Sequence, residues 1–359
     1  MKRVGVIGCG NISGIYFKNM TGMFDNLDVV ACCDLDQSKA EEAAKTYHIP
    51  KVLTTEQILS DPEVDIIVNL TTPQQHYEIS MAALQAGKHV YSEKPLSIRR
   101  EDGETLVRTA QEKGLYLGCA PDTFLGAGIQ TCKKLIADGW IGEPVAGTAF
   151  MVCHGHESWH PAPEFYYKVG GGPMFDMGPY YLTALVNLIG PVESVVSEAA
   201  KTFPTRTITS EPKKGTIIDV EVPTHITGVL TFKNGALVTM IMSFDVWGAH
   251  LPNLEIYGTE GALSVPDPNG FGGCVKVKKS FHEDWHDMPH THTHSENSRG
   301  YGVSDMARAI EEGVPARASG AVAYHVLEVM HAFMQSAEEG RRIAVTSAPG
   351  SICPLAQNK

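Results

Sequence analysis

At 359 residues, with 43% hydrophobic and 19% charged side chains, the chain is long enough for two globular domains. Its net charge of −12 argues against nucleic acid and anionic membrane surfaces as partners, because both are polyanions. No apolar run is long enough to span a bilayer, the N-terminus lacks the features of a secretory leader, and the eight cysteines form no CxxC pair or zinc spacing. These features lead to the expectation of a cytoplasmic protein with free thiols.

The first third alternates short apolar runs with helical patterns. Arg3–Ile7, Asp28–Cys33, Val64–Leu70, Lys88–Ser92 and Leu115–Cys119 read as strands. Ile12–Met23, Ser38–Tyr47 and Gln75–Ala86 read as helices between them. Strands alternating with helices predict parallel βαβ units, and the nearly unbroken apolar run VDIIVNL suits a strand covered on both faces. The pattern changes after about residue 122. Phe124–Ala137 reads as a helix. Val145–Cys153, Thr224–Phe232, Ala236–Phe244 and Asn253–Gly258 then read as strands, with a hairpin turn at Lys233-Asn234-Gly235. One helix is expected in this stretch, over Tyr180–Leu188, opened by Asp176; Ser304–Glu312 and Ala321–Glu339 close the chain as helices. The expected class is α/β: a Rossmann domain over residues 1–122, then an α+β domain over 123–359 with mainly antiparallel strands.

The N-terminal segment VGVIGCGNIS has the form G-x-G-x-x-S, with Gly8 and Gly10 directly after the first strand and Ser13 at the third glycine position. Glycines there allow a tight turn and close approach of a pyrophosphate, and the following helix offers unpaired N–H groups. Asn11 and Ile12 belong to the same loop. Asp34 ends the second strand, 24 residues after Gly10, where a carboxylate can accept hydrogen bonds from a ribose and repel a 2′-phosphate. NAD is therefore expected in preference to NADP.

The block TTPQQHYEISMAALQAGKHVYSEKPLS, IGEP at Ile141–Pro144, GGGPMFDMG at Gly170–Gly178, RGYGVSDMARAI and AYHVLEVMHAF follow one another in an order that resembles the Gfo/Idh/MocA family, over nearly the whole chain. The resemblance implies a large, open, mainly antiparallel sheet in the second domain. It also implies hydride transfer between a nicotinamide cofactor and one carbon of a sugar, cyclitol or sugar derivative. By the same resemblance Thr72, Pro73 and His76 flank the cofactor, and Glu93, Lys94 and Pro95 form the EKP motif whose lysine contacts substrate and nicotinamide. Asp176 and Tyr180 stand where the family carries an aspartate and a histidine. The tyrosine is a departure.

Oxidation of an alcohol needs a base within reach of the hydroxyl. Lys94 follows a strand at its carboxyl end, where ligands of open α/β sheets bind, and an ammonium there can stabilise a developing alkoxide. Asp176 and Tyr180, four residues apart, project from one helix face. Either Tyr180 replaces the histidine, or a histidine of HGHESWHPAPEF (His154, His156 or His160) enters the site, or the chemistry is lost. His156, Glu157, Trp159 and His160 also suit sugar binding, as polar anchors beside an aromatic platform. Asp122 completes the candidate substrate contacts. The cluster His282, His286, His290, His292 and His294 has spacings that could chelate a metal, but its Pro- and polar-rich setting favours an ordinary or substrate-covering loop. The expected activity is that of an NAD-dependent dehydrogenase. The rivals are an NAD-recycling glycosidase or lyase of the same fold and an inactive sugar or dinucleotide sensor. A homo-oligomer is expected, because the open sheet has a face that needs cover.

Overall fold

The computed structural model describes residues 1–281 and 283–356. They divide into two compact units: Met1–Leu125 with Glu296–Leu327, and Gly126–Ser295 with the segment from Glu328 onward.

In the first unit the βαβ pattern becomes β1 (Lys2–Ile7), α1 (Ser13–Gly22), β2 (Leu27–Cys33), α2 (Gln37–Tyr47), β3 (Lys51–Val52), α3 (Thr55–Ser60), β4 (Ile66–Asn69), α4 (His76–Gln85), β5 (His89–Ser92), α5 (Arg100–Glu112) and β6 (Leu117–Cys119). All six strands are parallel, in the order β3-β2-β1-β4-β5-β6. This is the Rossmann arrangement, with its switch point between β1 and β4. Val4, Val6, Ile66, Ile67, Val68 and Val90 are completely buried, which explains their continuous apolar runs. Each such side chain contributes about 1.5–3 kcal/mol through burial. Local caps define the helices. Asp36 accepts the Ser38 N–H at the start of α2, and Thr54 and Gln57 form a reciprocal capping box on α3.

The second unit contains α6 (Ala127–Ala137), β7 (Pro144–Val152), α7 (Gly172–Leu188), β8 (Val192–Ala200), β9 (Thr205–Thr207), β10 (Ile217–Asp219), β11 (His225–Phe232), β12 (Leu237–Ser243), β13 (Leu254–Gly258), β14 (Gly261–Val265), β15 (Val275–Lys279) and β16 (His286–Met288). Helix α8 (Tyr301–Glu312) belongs to the first unit, α9 (Gly320–Glu339) carries the chain from the first unit into the second, and β17 (Ile343–Ala344) ends the regular structure. Nine strands form one sheet in the order β16-β15-β14-β13-β7-β12-β11-β8-β17. Every pairing is antiparallel except β7 with β12. In β12, Val238, Met240 and Met242 are buried while Leu237 and Thr239 are exposed, the period of two of a sheet with one covered face. The expected hairpin turn joins β11 to β12, with Gly235 at φ 89°.

One helix boundary differs from the sequence reading. Helix α7 begins at Gly172, so Asp176 lies inside it rather than opening it. Pro173 sits in the first turn, where a missing N–H costs nothing. Pro179 falls in the interior and removes the bond that residue 179 would have donated to the Phe175 carbonyl. Burial of Tyr180–Leu188 against the sheet maintains the helix across that defect.

Candidate functional site

At the carboxyl end of β1 the backbone of Gly8 takes φ 100°. A Cβ there would lie 2.7 Å from the Leu70 carbonyl carbon, so only glycine fits. Gly10 faces open space, with no atom within 4 Å of an added Cβ. Helix α1 starts without a side-chain cap and without an acidic residue in its first turn, leaving its N–H groups and positive dipole end for an anion. Ser13 donates its hydroxyl to the Gly10 carbonyl at 2.7 Å and so closes the turn at the third glycine position. Asn11 and Ile12 are exposed on this loop.

Asp34 is held rigidly. Its Oδ2 accepts the Cys9 N–H at 2.7 Å and its Oδ1 accepts the Asp36 N–H at 2.8 Å. Beside it, Leu35, Gln37, Ala40, Val52 and Thr54 line a cavity of about 380 Å³ at the carboxyl ends of β2 and β3, a volume in the range of small-ligand sites. Together, the glycine turn, the uncapped helix and an oriented carboxylate beside a cavity fit a nicotinamide dinucleotide.

The loops after β4 and β5 are tied together. Thr72 is exposed and Pro73 half-buried at the start of a short turn, while His76 is buried at the head of α4. Its Nδ1 lies 2.6 Å from the Pro95 carbonyl and its Nε2 3.1 Å from the Thr71 carbonyl. Burial holds the imidazole below its ordinary pKa, against the pull of the two carbonyls. His76 therefore ties the Lys94-Pro95 segment to the loop after β4. Glu93 is also buried: Oε1 accepts the Tyr16 hydroxyl at 2.8 Å and Oε2 accepts the Lys94 N–H at 2.9 Å. Lys94 itself is half-buried, with its backbone anchored on both sides.

The structure gives Asp122 a different setting from the one expected of a substrate ligand. It is 1% exposed, and its Oδ2 accepts the Gly300 and Gly302 N–H groups at 2.8 and 3.0 Å, capping the start of α8. Burial raises its pKa to about 6, although these bonds favour the carboxylate.

In the second unit, the turn after β7 brings His156 against α7. His156 Nε2 donates to Asp176 Oδ2 at 3.2 Å, across twenty residues of chain. The imidazole is enclosed edge-on by Tyr166, Phe244 and Trp159, at centroid distances of 4.1, 4.7 and 5.3 Å. Tyr180 lies one turn beyond Asp176 and is buried, 8% exposed. His160 Nδ1 accepts the Ala162 N–H at 3.0 Å, and burial followed by the proximity of His156 lowers its pKa. Trp159 is exposed beside it. Glu157 turns inward, accepting from the Tyr167 hydroxyl and from Arg206. The sequence carried no motif for Arg206 or Phe244, which reach this region only through the fold.

Of the histidine-rich segment, His290 Nε2 bonds the Gly273 carbonyl, and His292 contacts Thr291 and the Leu355 carbonyl. His282 lies outside the described residues. Among the described residues, no group of three His, Cys, Asp or Glu side chains is arranged to hold a metal ion.

Comparison with known proteins agrees with this layout. A family model described as an oxidoreductase family with an NAD-binding Rossmann fold matches residues 2–120, and one described as the GFO/IDH/MocA C-terminal domain matches residues 129–264. The chain is 24% identical to the scyllo-inositol 2-dehydrogenase (NADP(+)) of Bacillus subtilis, over 95% of both chains. It is 28% identical to the 1,5-anhydro-D-fructose reductase of Ensifer adhaerens, over 73% of this chain and 75% of that one. Among solved structures, levoglucosan dehydrogenase in complex with NADH and L-sorbose superposes with a TM-score of 0.81 at 21% identity, covering 96% of this chain and 99% of that one.

Proposed function

The chain belongs to the Gfo/Idh/MocA family of oxidoreductases, and we propose that it is an NAD-dependent dehydrogenase acting on a secondary alcohol, or the matching ketone, of a sugar, cyclitol or glycoside. Relatives that are inositol dehydrogenases and a sugar reductase support the substrate class. The observation that carries the reading is the His156–Asp176 pair, which supplies an acid–base group where the usual histidine position holds Tyr180.

Bound NAD supplies the hydride acceptor. The protein's part is to hold the substrate and move one proton. Asp176 accepts from His156 Nε2, so the neutral ring carries its proton there and leaves Nδ1 as the acceptor. No described residue hydrogen-bonds that nitrogen. In this reading Nδ1 takes the hydroxyl proton as the alcohol is oxidised and returns it in the reverse direction, with Asp176 stabilising the imidazolium. Lys94 holds the substrate oxygen and stabilises its developing charge. Thr72, Pro73, Glu93 and His76 shape the cofactor-binding loops, and Trp159 and His160 offer contacts to the substrate ring.

Asp34 accounts for the preference for NAD. A hydrogen bond to a charged group contributes about 1.5–3 kcal/mol. Asp34→Ala is therefore expected to weaken NAD binding about tenfold or more and to narrow the NAD-over-NADP ratio, measured by titration with each cofactor. An unchanged ratio would remove the ribose contact from the reading.

The overall reading is tested by incubating the protein with NAD and a series of sugars, inositols and simple glycosides. Accumulating NADH supports the dehydrogenase. Release of sugar without net NADH would replace it with a redox-recycling glycosidase.

Self-association is proposed through the outer face of the nine-stranded sheet, where Val196 and Val229 are cross-strand partners and are exposed, as is Leu237. A light-scattering mass of one chain would remove that proposal. No helix among the described residues is long and apolar enough to cross a membrane. No disulfide joins cysteines among the described residues, which fits the proposed cytoplasmic placement.

A further inference from the structure

Two residues before His156 the chain contributes to a different cavity. His154, Glu157, Phe203, Arg206 and Trp247 wall a space of about 390 Å³, formed entirely within the second unit and of the size of small-ligand sites. Trp247 is 85% exposed. One face of its indole lies on the His154 ring, with centroids 3.3 Å apart and planes 15° from parallel. The other face is open. An indole left in water forgoes the burial free energy that the C–H face of a sugar ring could restore. Phe203 flanks the space, its ring centroid 4.8 Å from the Arg206 guanidinium.

The floor of the cavity selects for charge. Arg206, 5% exposed, is bound by two carboxylates, Glu157 at 2.9 Å and Asp245, and also donates to the Phe244 carbonyl at 2.9 Å. One cation against two anions leaves the floor formally negative, which opposes a phosphate or a carboxylate. Neutral hydroxyls meet no such penalty. Two buried nitrogens in the walls, Arg206 Nε and His154 Nδ1, have no hydrogen-bond partner among the described residues, whereas buried polar atoms usually have one. Ser158, Thr205 and Thr207 add hydroxyls at the rim. An open aromatic face above hydroxyls and hydrogen-bonding nitrogens, on a floor that opposes anions, has the chemistry of a pyranose site.

Phe244 stands between this cavity and the proposed base. Its ring lies 4.7 Å from that of His156, while its carbonyl accepts from Arg206. The two features are therefore one side chain apart. We propose that the cavity binds a second, neutral sugar ring, so that the substrate is a disaccharide or other glycoside rather than a free monosaccharide. This inference rests on the dehydrogenase reading for its assignment to substrate.

The test is calorimetric titration of the intact protein, without turnover, using glucose and galactose and the disaccharides cellobiose, maltose, trehalose and lactose as probes. At least one disaccharide is expected to bind about tenfold tighter than its monosaccharide. Trp247→Ala should bring that ratio to within about twofold, as should Thr207→Trp, which fills the rim from an exposed strand position. Both positions are at the surface, and circular dichroism checks the fold of each variant. In kinetics the loss should appear as a raised KM for the disaccharide. The inference is overturned if no disaccharide binds tighter than its monosaccharide, or if both variants keep the wild-type ratio. The two readings separate cleanly. A Trp247-dependent disaccharide preference with no NADH from any sugar supports the cavity and removes the dehydrogenase. NADH from monosaccharides with no disaccharide preference supports the dehydrogenase and removes the cavity.

Discussion

His156→Asn is expected to lower kcat by about 10²- to 10⁴-fold while NAD still binds. Asparagine preserves polarity and approximate size within the ring of Tyr166, Phe244 and Trp159, but it cannot take a proton at neutral pH. The partner variant sharpens the result. Asp176→Asn keeps the contact at Nε2 but removes the charge that fixes the tautomer and stabilises the imidazolium, so it should also lose turnover by orders of magnitude. In the double variant the losses should fall well short of additivity, because the two residues act as one unit. Tyr180→Phe provides the contrast. If Tyr180 serves packing on α7, its phenylalanine variant retains most of the activity. Full activity in His156→Asn together with a severe loss in Tyr180→Phe would transfer the proton to the phenol and end the role given to His156. Rate constants for NADH formation at saturating substrate decide between them.

Lys94→Ala should lower kcat by about 10²- to 10³-fold through loss of a positioned cation at the substrate oxygen, a size typical of removing one electrostatic stabiliser. Its effect on NAD affinity should stay within a few fold. The glycine turn, the free N-terminus of α1 and Asp34 are all built from other segments. The local backbone should also survive the change, since Glu93 bonds the Lys94 N–H and His76 bonds the Pro95 carbonyl without using the lysine side chain. A folded Lys94→Ala protein that no longer binds NAD in a titration would make Lys94 a cofactor ligand and remove it from the chemistry proposed here.

His76, Glu93 and Asp122 show where reading motifs reaches its limit. The sequence places all three near a functional loop. The structure shows His76 and Glu93 as ties beneath Lys94, and Asp122 as the cap of a helix nearly two hundred residues away. A motif marks which residues occur together but not whether a side chain faces a ligand or the protein. The start of α7, at Gly172, differs from the sequence expectation for a related reason. Three glycines and two prolines argue locally against helix, yet burial of Tyr180–Leu188 outweighs that preference.

What the sequence determined alone is what short-range physics encodes. Alternating apolar runs and helical periods define the βαβ series, the Gly8–Gly10 turn follows from backbone sterics, and Lys233-Asn234-Gly235 makes its hairpin wherever the flanking strands lie. Each depends on neighbours within a few residues. Only the tertiary structure decided the pairing of His156 with Asp176, the carboxylates around Arg206, and the return of Glu296–Leu327 to the first unit. Those contacts join side chains distant along the chain. Their geometry follows from how whole strands and helices bury their apolar faces, a collective outcome that no local pattern of residues specifies.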